Sequence, residues 1–213
     1  MPKGAHFRML PTNARSPCCP EVLALTLLLV LTTLVYWRGL GGPFVFDDYA
    51  NIVANPGVQA DQGFWPAVRL ALVAGDAGPL KRPLSMVSFL LNFRATGLDP
   101  FWFKFTNLGI HLLNGVLVWW FTRGLLDLTA GGERAGIRAA LALVTTGAWL
   151  LHPLQLTSVL YVVQRMTSLS TSFVLLGLIF YLNARRQHWA GRPAYGQLWV
   201  AVPGCLLLAS LTK

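Results

Sequence analysis

The chain alternates between long apolar runs and short polar breaks that carry arginine. The first run, VLALTLLLVLTTLVYW, covers residues 22–37. Four more follow: 105–122, 139–151, 168–184 and 195–211. A bilayer core needs about 20 apolar residues per helix. Each run approaches that length once its flanks are counted. The pattern therefore predicts an all-α polytopic membrane helix bundle of about five transmembrane helices. The first run also fits the core of a signal peptide, which has the same basic flank. The WRGLGGP that follows it has no small-x-small cleavage site, which favours an uncleaved helix.

Between the first two runs lies a different segment, residues 38–104. It contains five of the eight acidic residues, and Gly, Pro and Asn recur throughout it. Two stretches within it, 64–74 and 83–93, are amphipathic and too short or too mixed to span. They are expected to be short helices, lying in the interface or packed on the bundle.

Charge adds orientation. Lys3, Arg8 and Arg15 precede the first run, Arg123, Arg134 and Arg138 follow the second, and Arg185, Arg186 and Arg192 follow the fourth. The 152–167 connection carries only Arg165. By the positive-inside rule, residues 1–20 form a cytoplasmic N-terminal tail. The 38–104 segment is then a long external first loop, on the same face as the 152–167 connection.

Composition agrees with a lipid environment. The 213 residues are 54% hydrophobic and 12% charged, against about 25% charged in average soluble domains. Mean hydropathy is +0.54. The net charge of +9 sits between apolar runs, a placement that suits membrane orientation and argues against nucleic acid as a partner. Cys18, Cys19 and Cys205 form neither a disulfide framework nor a zinc motif. No cofactor is implied, and a divalent metal is left open.

Two places on the external face carry candidate chemistry. In FVFDDYANIVANP, Asp47 and Asp48 stand next to each other just after the first run. Mutual repulsion and an apolar setting both raise a carboxylate pKa and make a better base. Two solvated aspartates in a turn are the alternative. In HPLQLTSVLYVVQR, Arg165 stands at the entrance of the fourth run. There a guanidinium can pair bidentately with a phosphate at headgroup depth, or can simply snorkel. Lys81–Arg82–Pro83 offers a second cationic point. Asn107, His111 and Asn114, spaced four and three apart, share one helix face that should point inward.

Taken in order, FDDYANIVANP, KRPLSMVSFLLNF, GLDPFWFKFTNLGIHLLNG and LLHPLQLTSVLYVVQRMTSLST resemble the membrane part of the GT-C glycosyltransferases. The likeness is to the bacterial relatives of the transmembrane and tetratricopeptide-containing O-mannosyltransferases, and it covers roughly residues 22–213. The resemblance implies a sugar moved from a polyprenyl-phosphate donor to a protein Ser/Thr or glycan hydroxyl on the periplasmic or lumenal face. It implies that Asp47 and Asp48 are catalytic, the first acid being the better base. It further implies that Arg165 and Arg82 meet the donor phosphate and that His111, Asn107 and His152 line the pocket. The setting implied is a bacterial inner membrane. The partners implied are membrane lipid, the polyprenyl-phosphate sugar and an acceptor protein.

Two departures qualify the likeness. Many relatives carry an acidic residue shortly after His-Pro, where this chain has Gln155 and Ser158. Relatives also continue beyond Lys213, so residues 21–213 are expected to be the N-terminal part of a longer transmembrane domain. A non-catalytic scaffold or a lipid-linked-sugar transporter is the competing class. A transporter should place ionisable groups within its spans, and these runs hold almost none apart from His111.

Overall fold

The computed structural model describes residues 19–76, 80–129 and 134–213. The expected tail 1–20 lies almost wholly outside the described residues, as does Cys18. Among the described residues there are helices and turns and no strand.

The first apolar run becomes α1 (Cys19–Trp37). The segment after it folds into a π-turn at Tyr49–Val53, then α2 (Phe64–Val73) and α3 (Pro83–Thr96). Pro83 starts α3 because its fixed φ suits the first helical position and its missing N–H is not needed there. Gly97 ends α3 at φ +66°, a conformation that glycine adopts without steric cost. The second run lies within α4 (Pro100–Thr129), 30 residues long, and the third, all but its last residue Leu151, within α5 (Ala135–Leu150). The connection Pro153–Gln155, α6 (Leu156–Leu160) and Val162–Gln164 lead into α7 (Arg165–Trp189). A π-turn at Gln197–Ala201 runs into α8 (Val202–Ser210).

Among the described residues two helices are long and apolar enough to cross a membrane, Cys19–Trp37 and Val162–Trp189. Ala135–Leu150 with Pro153–Leu160, bent by 52°, makes a third if the pair is one span. On α1, Leu23, Leu27 and Leu34 are 60%, 60% and 66% exposed. A helix that shows leucine outward in this way is built to face hydrocarbon.

The larger apolar core lies under the segment between α1 and α4. Phe44, Ile52, Val58, Ala67, Met86 and Phe103 pack there against Val162 and Met166. That segment is therefore a packed cap, stitched to the start of α7. The N-terminus of α3 is closed by the far end of the chain. Leu84 N–H donates to the Leu211 carbonyl (3.2 Å) and Ser85 Oγ to the Thr212 carbonyl (2.8 Å). The first bond satisfies one of the backbone donors that every helix start leaves open, and the second adds a side-chain tie to the same end.

The opposite end carries an ion-pair network. Arg123 meets Glu21 (2.9 Å) and Asp127 (3.1 Å); Asp127 also meets Arg138 (3.1 Å) and Arg186 (3.9 Å). It joins α1, α4, α5 and α7.

Candidate functional site

The two adjacent aspartates have opposite surroundings. They close a turn in which Asp48 N–H donates to the Val45 carbonyl (3.0 Å) and Val45 N–H donates to Asp48 Oδ2 (3.1 Å). Neighbouring side chains on so tight a turn leave it in different directions. Asp48 is fully buried. Its carboxylate also accepts the N–H of Val163 (2.7 Å) and of Val162 (3.4 Å). Asp47, at the tip of the turn, is exposed. Its backbone N–H donates to Tyr161 Oη (3.1 Å), and its carbonyl accepts from Asn51 Nδ2 (2.9 Å). Phe46, between Val45 and Asp47, is held at φ +46° and is 84% exposed. A non-glycine residue in that region costs about 1–3 kcal/mol, and such strain clusters at functional sites.

Burial pushes the Asp48 carboxyl above its ordinary value; the three backbone donors and the charge of Lys104 oppose that rise. Lys104 is itself buried, and its Nζ donates to the carbonyls of Gly42 (2.7 Å) and Pro43 (2.9 Å). Burial pulls the Lys104 amine down, and Asp48 pushes it back up. The pair therefore shares one enclosed pocket of field without direct contact. Sequence reasoning missed Lys104. Its signal was a lone charge inside FWFKF, just before an apolar run.

Arg165 is fully buried at the first turn of α7. Its Nε donates to Asn107 Oδ1 (2.8 Å), and Nη2 donates to Asn92 Oδ1 (2.8 Å) and to the Phe103 carbonyl (2.8 Å). Nη1 reaches the Ser88 carbonyl (3.1 Å). The guanidinium also lies over the rings of Phe89 (4.8 Å) and Phe103 (5.4 Å). Four of its five N–H donors thus have internal acceptors. A surface guanidinium reaching for a headgroup is not the arrangement found, because α3 and α4 close over it with neutral acceptors.

Arg82 is different. It is half-buried, in the left-handed conformation at φ +50°, directly after Lys81 at φ +58°. Its Nη1 meets only the thioether of Met166 (3.2 Å), and its buried Nε has no partner. Sulfur is a weak acceptor. This is a cation on a strained backbone, with its buried Nε unmatched and its Nη1 on a weak acceptor.

The inward face of α4 is built from the expected polar residues, all buried. Asn107 Nδ2 donates to the Val162 carbonyl (3.2 Å), and Asn114 Nδ2 to the Ser168 carbonyl (2.9 Å). His111 Nε2 donates to the Leu150 carbonyl (3.0 Å), and its ring stacks on Trp149. His111 thereby caps the end of α5. His152 is exposed, and its Nδ1 accepts the Leu154 N–H (3.2 Å), closing the next short turn. The two histidines therefore flank the same helix end, His111 buried and His152 exposed. Gln155 and Ser158 bond to each other (2.9 Å).

One segment, Tyr161 to Met166, touches both aspartates, Asn107 and Arg82, and carries Arg165 itself. Tyr161 holds Asp47, Val162 and Val163 hold Asp48, Arg165 holds Asn107, and Met166 meets Arg82. Among the described residues no His, Cys, Asp and Glu group is arranged to hold a metal.

No family model matches the chain, and no solved structure matches it. Curated proteins do. Protein O-mannosyl-transferase TMTC1 of Mus musculus is 32% identical over 191 residues, 84% of this chain and 19% of that protein. The chain is a homologue of the TMTC protein O-mannosyl-transferases. The TMTC1 protein of Homo sapiens is 30% identical over 198 residues, 89% of this chain and 21% of its own length. TMTC4 of Mus musculus is 28% identical over 169 residues, 74% of this chain and 22% of that protein. The chain thus spans about a fifth of the length of these relatives. The match reaches over most of the chain, so it takes in the cap and the bundle together.

Proposed function

We propose that this chain forms the acceptor-activating part of a GT-C membrane glycosyltransferase. It would move a sugar, mannose by analogy with the names of its relatives, from a polyprenyl phosphate to a serine or threonine hydroxyl of a protein. The observation that carries the reading is the contrast within the acidic pair. Asp48 is buried and hydrogen-bonded on every side, while Asp47 is exposed at the tip of a strained turn fixed by Asp48.

In this mechanism Asp47 accepts the proton of the acceptor hydroxyl as its oxygen attacks the anomeric carbon. The bond from that carbon to the phosphate oxygen breaks, and the polyprenyl phosphate leaves with the electron pair. Proton transfer to a positioned base contributes about a hundred- to ten-thousand-fold. Arg82 and Lys81 stabilise the charge that grows on the leaving phosphate. Arg82 suits this role better than Arg165 because its buried Nε lacks an acceptor and its Nη1 has only a thioether. Arg165 instead ties α7 to α3 and α4 beneath the site.

The lipid tail needs the bilayer, so the site belongs at headgroup depth. Five spans with the 38–104 segment external would put Asp47 on the periplasmic face of a bacterial inner membrane. The scarcity of ionisable groups in the apolar runs, which hold almost none apart from His111, weighs against a transporter.

The test uses membranes containing the full chain, polyprenyl-phosphate mannose and a serine/threonine-rich peptide. Asp47→Asn should reduce transfer at least about a hundredfold with insertion unchanged. Transfer at the wild-type rate in that variant would overturn the assignment.

A further inference from the structure

Asp47 needs more than exposure to act as a base. Its carboxylate has to point in one direction, and Asp48 fixes only the base of the turn. The residue that reaches the tip is Tyr161. Its Oη accepts the Asp47 N–H (3.1 Å) across a sequence separation of 114 residues. The Phe46 ring stands edge-on to the Tyr161 ring, with centroids 6.3 Å apart and planes at 81°.

Tyr161 is itself tightly held. Its N–H donates to the Thr157 carbonyl (3.1 Å), and its carbonyl accepts from Asn107 Nδ2 (3.4 Å). Its immediate neighbours Val162 and Val163 grip Asp48. Three consecutive residues therefore hold both acids of the pair.

A phenol has one proton to give and lone pairs to accept with. At Tyr161 an accepting position is taken by the Asp47 amide, which leaves the proton to donate. The Asp47 carboxylate, whose charge bears on the phenol, is the acceptor beside it. The other charge facing the phenol is Asp48. We propose that Tyr161 is the positioning residue for Asp47: its hydroxyl bridges the Asp47 backbone and carboxylate and sets the direction of the base. The inference rests on the reading of Asp47 as the base, and it adds how that base is aimed.

Tyr161→Phe keeps the ring contact with Phe46 and removes only the bridge. The test is alkaline titration of tyrosinate absorbance on the full chain in lipid nanodiscs. Wild type minus Tyr161→Phe isolates Tyr161 from the other tyrosines. The same difference in an Asp47→Asn background should titrate about one pH unit lower, because the carboxylate charge is gone. An unchanged midpoint overturns the bridge. At neutral pH the Asp47 amide of Tyr161→Phe should exchange its hydrogen about tenfold faster, the consequence of one lost hydrogen bond. An unchanged rate overturns it equally. The base reading is checked separately. Transfer retained by Asp47→Asn would remove the base and leave the Tyr161 bridge standing.

Discussion

The Asp48 carboxylate accepts the Val163 amide at 2.7 Å, joining the turn after α1 to the start of α7 across 115 positions of sequence. Two further amides, Val45 and Val162, point at the same group. Asp48 is thus a staple between the cap and the bundle.

Asp48→Ala should leave those amides facing an empty pocket. Each buried donor without a partner costs about 1–3 kcal/mol. We expect a loss of at least about 2 kcal/mol, measured as a fall in thermal midpoint in detergent micelles.

Asp48 should also make stability depend on pH. Its folded pKa lies above the ordinary 3.8, so the folded state holds the proton more tightly. The resulting contribution is complete below 3.8 and is lost as pH rises through the folded value. Asp48→Asn should flatten this part of the curve. Melting midpoints from pH 3 upward, wild type against variant, check the sign.

Arg165→Lys should be costly although it keeps the charge. An ammonium cannot reach Asn107, Asn92 and the Phe103 carbonyl from one planar fork. About 3 kcal/mol of stability should be lost, with trypsin cleaving the variant sooner at equal temperature.

Gly75→Ala should damage the Arg82 site from a distance. A methyl group at Gly75 would collide with the Lys81 carbonyl oxygen, a backbone atom that cannot swing aside. The left-handed pair Lys81–Arg82 would have to move. Transfer should fall about tenfold or more with the helical content of the chain retained. Circular dichroism and the mannose assay, run together, test this.

Topology can be read by labelling. With Cys18, Cys19 and Cys205 replaced, Tyr49→Cys and Ser158→Cys should react with an impermeant maleimide on intact cells, and Gly132→Cys should not. Reaction at 132 alone would turn the chain over and put Asp47 on the wrong side for a periplasmic donor.

The sequence made the helices legible because apolar runs are long and breaks are marked by arginine, glycine and proline. The run 168–184 lies within Arg165–Trp189, and 105–122 within Pro100–Thr129. The shared face of Asn107, His111 and Asn114 was also readable, since helical spacing alone sets it. The different surroundings of Asp47 and Asp48 were not readable. Adjacent residues on a turn look alike in sequence, and the amides that separate them come from residues 162 and 163. Arg165 was hidden for the same reason: its acceptors lie on α3 and α4, far away along the chain. Asp127 attracted no notice among its arginines, yet it is the acid that three of them share.

That network bears on how the protein is made. Glu21 lies in the first turn of α1, and in the finished bundle it is buried against Arg123 on α4. A carboxylate is costly to bury without a counter-charge or hydrogen-bond donors, and Arg123 supplies both to Glu21. The start of α1 must stay wetted while the cap and most of α4 are still being translated. The N-terminal end of α1 is therefore locked in place only once α4 has arrived.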